Sequence, residues 1–261
     1  MNPIVTAVLI LAAIGAVAAI LLVLASKFLA VPVDESFTKV RECLPGANCG
    51  GCGYPGCDGY AQAIVDGKET EINKCAAGGK TSLEALAKVT GREAVAAEPK
   101  IAVVCCLGNN DTTLKKEHYV GQTSCKAAKL LFSGDGACSF GCLGYGDCAV
   151  ACPEQAINII NGLAHVNDIR CQGCGACARA CPQHVIRILP ASKKIVVKCK
   201  NNEKGIHVTK ICKAGCVGCG LCTRKCPEEA ITLVNNLATI NPEKCTDCGT
   251  CKEVCPRKCI L

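Results

Sequence analysis

Three stretches of the chain set four cysteines at one spacing, CxxCxxCxxxC, and close each with proline. They are Cys171, Cys174, Cys177 and Cys181-Pro182; Cys216, Cys219, Cys222 and Cys226-Pro227; and Cys245, Cys248, Cys251 and Cys255-Pro256. Thiolates so spaced wrap one face of an iron-sulfur cubane, while the cysteine before proline turns away to serve a second cluster. The last two runs therefore assign Cys216, Cys219, Cys222 and Cys255 to one [4Fe-4S] cluster and Cys245, Cys248, Cys251 and Cys226 to its neighbour. The stretch before Cys171 departs from the pattern, because Tyr145 stands where a counterpart of Cys219 belongs. Cys138 is then the expected third ligand, giving Cys138, Cys142, Cys148 and Cys181 as one set and Cys171, Cys174, Cys177 and Cys152 as the other.

A fifth set has a different form: Cys49, Cys52 and Cys57, then Cys75, in a glycine-rich context with Cys43 as a spare. One [4Fe-4S] cluster is the reading. Gly51 to Gly56 also fits GxGxxG, but no apolar strand precedes it and Cys52 sits inside it, so a dinucleotide site is rejected. Seven cysteines remain: Cys43, Cys105, Cys106, Cys125, Cys199, Cys212 and Cys259. Cys106, Cys125, Cys199 and Cys212 are expected to hold a sixth cluster between two units. Alternation along the IAVVCC strand equally allows Cys105, and buried free thiols are the plain alternative. Cys43 and Cys259 receive no role.

Composition supports metal over an ordinary core. The chain has 261 residues, 27 cysteines and no tryptophan, with aromatics at 3%. An odd cysteine count at tight spacings argues against a disulfide framework, and zinc ribbons need two separated pairs rather than proline-terminated runs. The formal charge is +7. An oxidised cluster with four thiolates carries about −2, so six would bring the whole to about −5. Basic residues such as Lys193, Lys194, Lys198, Lys200, Lys210, Lys213, Arg224 and Lys225 then either balance the cofactors or dock an acidic redox protein. They are not interleaved with aromatics, which disfavours nucleic acid. The four histidines are isolated, and no triad, P-loop or HExxH motif occurs.

Positioning these thiols requires a repeat. A shift of 74 residues carries Cys125, Cys138, Cys142, Cys148, Cys152, Cys171, Cys174, Cys177 and Cys181 onto nine further cysteines. Both units place an apolar stretch before a turn, Ala156 to Ile159 before Asn161-Gly162 and Ala230 to Leu233 before Asn235-Asn236, and each predicts a hairpin. Upstream, Thr81 and Glu84 form a capping box opening a helix that stops at Gly91.

Ile4 to Ala25 is apolar apart from Thr6 and Gly15, and as a helix would be about 33 Å long, enough to span a bilayer. A signal peptide would want a basic residue first and a shorter run. Lys27, Lys39 and Arg41 follow the span, which places the large C-terminal part in the cytoplasm. Ala12, Gly15, Ala16 and Ala19 would let another membrane helix approach, or the helix is a bare anchor. The expected architecture is α+β: one N-terminal transmembrane helix (1–30), a small four-cysteine iron-sulfur domain (31–92) after a charged connector at 31–42, and two duplicated ferredoxin-like modules (101–192 and 193–261). The boundary before the first module falls in 93–100.

The order of these features resembles the B subunit of the Rnf complex, the membrane ion-translocating ferredoxin:NAD oxidoreductase. The resemblance runs essentially end to end, and its most specific stretch is RECLPGANCGGCGYPGC with Cys75 in INKCAAGG. It implies cluster ligation by Cys49, Cys52, Cys57 and Cys75 and by the ferredoxin-type cysteines. It further implies that electrons arrive from reduced ferredoxin and pass toward a flavin and NAD-binding subunit while other subunits move Na+ or H+. Many members of that family carry one ferredoxin-like module, so the second is an addition here. An electron wire without substrate chemistry is the expected function. A catalytic oxidoreductase would need a flavin or nucleotide site, which the sequence lacks, and a zinc-stabilised interaction module on the membrane would be colourless.

Overall fold

The structure, a computed structural model, describes residues 3–28, 35–95, 98–131 and 133–261. Ends of three expected segments, at 29–30, 31–34 and 96–97, lie outside the described residues. The chain divides into two compact units, 1–39 and 40–261. The first holds helix α1 (Pro3–Phe28), whose described side chains lie at 4–5 and 12–24. Among the described residues no helix is long and apolar enough to cross a membrane. Within the expected connector, Glu35–Glu42 forms helix α2 with Val40 buried.

In the second unit α3 (Cys57–Val65) and α4 (Gly79–Thr90) come first, burying Tyr60, Ala61 and Ile64 from one and Leu83 and Leu86 from the other. Helix α4 stops at Gly91 as expected, but the capping box does not open it. Its N-cap is Gly78, and Thr81 lies inside the first turn. The reason is local: the Gly78 amide donates to the Cys75 sulfur, so the cysteine loop itself starts the helix three residues early.

The remaining chain is built from two-stranded sheets and helices of one or two turns. In order these are β1 (Lys100–Val104), α5 (Cys125–Leu130), α6 (Asp147–Val150), β2 (Ile157–Ile160), β3 (Leu163–Val166), α7 (Ala176–Ala180) and β4 (Ile186–Pro190). Then follow α8 (Gly205–Ile211), α9 (Leu221–Lys225), β5 (Ile231–Val234), β6 (Leu237–Ile240) and α10 (Thr250–Glu253). Both expected hairpins form, β2 with β3 and β5 with β6, each antiparallel. Asn161-Gly162 and Asn235-Asn236 all have positive φ, the condition for a type I′ turn that follows strand twist. Strand β1 pairs with β4, Val104 opposite Ile186, and in the second copy this shrinks to the single bridge Val197–Ile260.

The two cores repeat with the sequence. One gathers Ile157, Ala164, Cys148, Cys177 and Ile186, and the other gathers Ile231, Ala238, Cys222, Cys251 and Ile260 at the shifted positions. Cysteine makes up three of the ten buried residues of the first and four of the eight of the second, so each is too thin to close without something held by the sulfurs. The turns beneath them are tight. Gly144 has φ +75, and a Cβ there would meet the Gly162 carbonyl oxygen at 2.3 Å; Gly218, at φ +66, meets that of Asn236 at 2.6 Å.

Gly144→Ala is therefore expected to cost about 1–3 kcal/mol and lower the denaturant midpoint for bleaching of anaerobic protein. Gly249→Ala has positive φ but nothing within 4 Å of its added carbon, and should lose less. Equal losses would mean the close approach contributes nothing.

Candidate metal centres

The segment 49–75 shows how a ligand loop is fixed. Asn48 closes it by accepting the Cys57 amide at 2.8 Å, which sets Cys57 at the start of α3. Glu69 draws the far end in: it accepts Tyr54 Oη at 2.9 Å, the Glu71 amide at 3.1 Å and the Lys74 ammonium. Those contacts, Lys74 foremost, hold its carboxyl at about 2. Tyr60 Oη donates to the Glu71 carbonyl at 2.9 Å and receives the Lys74 amide, strapping Cys75 to α3. The result brings Cys75 beside Cys52, Cys57 and Cys49. Burial first, and then those three thiolates, push its thiol up. Cys43 lies in the turn after α2, with burial and Glu42 pushing it up.

The ferredoxin-type runs gather as well. Cys177 is pushed up to about 11 by burial and by Cys171, Cys174 and Cys152 around it. Cys226, Cys245, Cys248 and Cys251 line one cavity, and Cys216, Cys219, Cys222 and Cys255 line another. Backbone amides aim at the sulfurs in register with the repeat: Ala164 and Gly144 donate to Cys142, and Ala238 and Gly218 donate to Cys216. Single bonds add to this, Ala102 to Cys171 at 3.3 Å, Ala156 to Cys152 at 3.3 Å and Asp247 to Cys245 at 3.4 Å.

One expected set is grouped differently in the structure. Cys138 does not join Cys142, Cys148 and Cys181; Cys125 does, and the four line a single cavity. Burial and then Cys142, Cys125 and Cys181 push Cys148 up to about 12. The cause is Asp147, in the first turn of α6. Its carboxylate accepts the Cys125 amide at 2.8 Å, the Lys126 amide at 3.0 Å and Ser124 Oγ at 3.0 Å, tying the start of α5 to Cys148. Leu221 occupies the shifted position in the second unit, so only the first can recruit a thiol from upstream. Asp147 and Ser124 are functional residues the spacing argument missed, and the aspartate in place of leucine was the available signal.

Cys138 lies instead with Cys106, Cys199 and Cys212 around a cavity between the two repeat units, with Cys142 at its edge. Cys125 thus leaves the expected inter-unit group and Cys138 enters it. Strand alternation decides between the neighbouring thiols: Cys105 packs with Val103 and Val196 on the other face of β1.

Among the described residues no three His, Cys, Asp or Glu donors converge as a single metal ion would require. A cubane asks for another arrangement, since its thiolates bind different irons and surround a volume. Inward amides and cavities lined by four cysteines fit that demand. The sets also adjoin one another. Gly51 packs on the Cys174 carbonyl, and Arg179 reaches the Cys49 carbonyl. Cys148 feels Cys177, and Cys251 feels Cys222.

Cys259, left without a role by the spacing, occupies the position of Val185 in the other unit. Its buried thiol donates to Cys216, lowering that thiol's pKa while Cys259 itself is held protonated, and its sulfur lies 3.6 Å from that of Cys255. Hydrogen bonds to cluster sulfurs raise reduction potential. Cys259→Val should keep the iron content and move one cluster to lower potential in an EPR-monitored titration. Loss of about four irons would instead make Cys259 a ligand.

Comparison with known proteins places these features together. An Fe-S cluster family model matches residues 44–76, and two models described as 4Fe-4S dicluster domains match 170–230 and 215–260. The chain is 40% identical over 245 residues to the B subunit of the Na(+)-translocating ferredoxin:NAD(+) oxidoreductase complex of Acetobacterium woodii, covering 94% of this chain and 73% of that protein. It is 41% identical to the B subunit of the proton-translocating ferredoxin:NAD(+) oxidoreductase complex of Clostridium ljungdahlii, over 92% of this chain and 85% of the relative. Identity is 36% to the B subunit of the ion-translocating oxidoreductase complex of Methanosarcina acetivorans, over 92% and 91%.

Proposed function

The chain belongs to the family of B subunits of ion-translocating ferredoxin:NAD(+) oxidoreductase (Rnf) complexes, and from that membership we propose that it is the complex's polyferredoxin, accepting electrons from reduced ferredoxin and relaying them toward NAD reduction. The observation that carries the relay is the adjoining of cysteine sets within 40–261, furnished with amide donors: the 49–75 set meets the Cys171 set, and the two sets of each repeat unit lie against each other. [4Fe-4S] clusters, when bound, supply reversible one-electron transfer. The residues proposed to hold five of them are Cys49, Cys52, Cys57 and Cys75; Cys171, Cys174, Cys177 and Cys152; Cys125, Cys142, Cys148 and Cys181; Cys216, Cys219, Cys222 and Cys255; and Cys245, Cys248, Cys251 and Cys226. The protein around them excludes water, fixes the sulfurs and aims amide dipoles inward, so little rearranges when charge arrives. The chain has no substrate chemistry of its own; the flavin and NAD-binding work falls to partner subunits, as does movement of Na+ or H+.

The N-terminal helix is proposed to anchor the relay to the prokaryotic cell membrane as a single pass, with the large part on the cytoplasmic side. Support comes from side chains. Ile20, Leu21, Leu22 and Val23 are each more than half exposed, and four successive helical positions cover every face. A helix apolar all round is stable only against lipid or other apolar helices.

Anaerobically prepared full-length chain should contain iron and acid-labile sulfide in equal amounts, at least about 20 of each, and bleach reversibly on mixing with reduced ferredoxin. It should contain no flavin and take no hydride from NADH. Zinc in place of iron would overturn the relay and leave an anchored interaction module.

A further inference from the structure

The cysteines around the inter-unit cavity are arranged as a pseudo-twofold pair of pairs. Cys106 accepts the Gly108 amide at 3.3 Å and the Cys142 amide at 3.5 Å. Cys199 accepts the corresponding amides of Asn201 and Cys216, and Cys216 is Cys142 shifted by one repeat. The other two sulfurs are served across the boundary. Asn201, 2% exposed and belonging to the second unit, donates Nδ2 to Cys138 of the first at 3.4 Å. Thr113 of the first unit donates Oγ1 to Cys212 of the second at 3.4 Å. A short backbone ladder pins the seam: the Leu114 amide donates to the Ile211 carbonyl at 2.9 Å and the Lys213 amide to the Thr112 carbonyl at 2.7 Å. The matching of Cys125 with Cys199 under the 74-residue shift is therefore a coincidence of numbering, because Cys106 fills the place that Cys199 has in its own unit.

We propose that Cys106, Cys138, Cys199 and Cys212 hold a sixth [4Fe-4S] cluster that joins the two ferredoxin-like units, two ligands from each. The inference rests on the reading of the chain as a cluster-bearing relay and goes beyond it, since no matched family segment contains Cys106, Cys125 or Cys138. Four thiols crowd a space sealed by at least six inward donors, and neither free thiols nor a core of apolar side chains would need such a shell. With iron and inorganic sulfide supplied by cluster assembly, four iron–sulfur bonds form and four thiol protons leave to solvent. The position gives the cluster its task. Cys142 and Cys216 are ligands in the flanking sets, and each also donates its amide to a junction sulfur, so a single N–H···S contact separates the junction from the cluster on either side. Electrons crossing from one unit to the other pass through this site.

Metal counting on the anaerobic full-length chain tests the proposal without relying on activity. Wild type should carry about 24 irons and no zinc; about 20 irons, with or without one zinc, overturns the sixth cluster and leaves the five-cluster relay standing. An iron-free chain overturns both. Double variants test who shares a cluster. Cys106→Ala with Cys138→Ala should remove about four irons, as should Cys199→Ala with Cys212→Ala, whereas Cys106→Ala with Cys125→Ala should remove about eight. The reverse pattern for the two pairs containing Cys106 would return Cys125 to the junction and overturn the assignment. Cys105→Ala should lose none, and because the wild-type count stands alone, a variant that fails to fold does not shelter the idea. In the assembled complex, the variant lacking Cys199 and Cys212 should keep about 20 irons yet lose most ferredoxin-driven NAD reduction; a full rate would overturn the junction's role in electron passage.

Discussion

Thiols crowded into interiors too small to leave them alone govern this protein. Burial and mutual repulsion of thiolates push Cys106 and Cys148 up to about 12 and Cys177 and Cys251 to about 11, so an empty set is costly to ionise. Iron reverses the balance: ligation requires the thiolate, and the positive core removes the repulsion that opposed it. Folding and cluster assembly are then one process. The apolar residues that remain, such as Ile157, Ala164, Ile231 and Ala238, fill only the gaps between sulfurs. That explains how short helices and two-stranded sheets, each marginal alone, make a single body.

Duplication supplied two copies of the same solution, and each copy then departed from it in its own way. In the first unit Tyr145 stands where the second has Cys219, and Asp147 draws Cys125 in from upstream to complete a group of four thiols. In the second unit Cys259 replaces the counterpart of Val185, adding a thiol donor to a set already complete. The first change keeps four thiols together and the second tunes the surroundings of another four. Neither disturbs the amides of Gly144 and Gly218, which keep the same aim at Cys142 and Cys216.

Much of this is legible in the sequence because local spacing carries it. The CxxCxxCxxxCP runs, the hairpins at Asn161 and Asn235 and the stop at Gly91 each depend on a few consecutive residues, and the structure contains those elements. What spacing does not carry is contact between distant segments. The shift by 74 residues matches Cys125 to Cys199, yet the carboxylate of Asp147 pulls one into the first unit while the β1 strand delivers Cys106 to the place of the other. The start of α4 escaped for a similar reason: Gly78 answers to Cys75, a thiol outside the helix, rather than to the polar pair at Thr81 and Glu84. Choosing Cys106 over Cys105 needed only the direction of the strand, since Val103 marks the face on which Cys105 lies.

Part of the surplus of lysine and arginine follows from the same geometry. A loop that turns its amides inward to sulfur must turn its carbonyls outward, where they need donors of their own. Arg179 and Arg224 each donate to the carbonyl of the second cysteine of their run, Cys174 and Cys219, at 3.5 Å. Lys193 donates to the Cys245 carbonyl at 3.0 Å, Lys129 to that of Pro182, and Arg257 to those of Gly215 and Cys212. Each cation thus satisfies the outer side of a ligand loop and lies within a few bonds of the negative charge inside. That division of labour, amides to sulfur and cations to carbonyl, accounts for these basic residues from the chain's own loops, with no acidic partner invoked. It makes the cations part of the cluster housing, and the formal charge of +7 describes a protein still missing its cofactors.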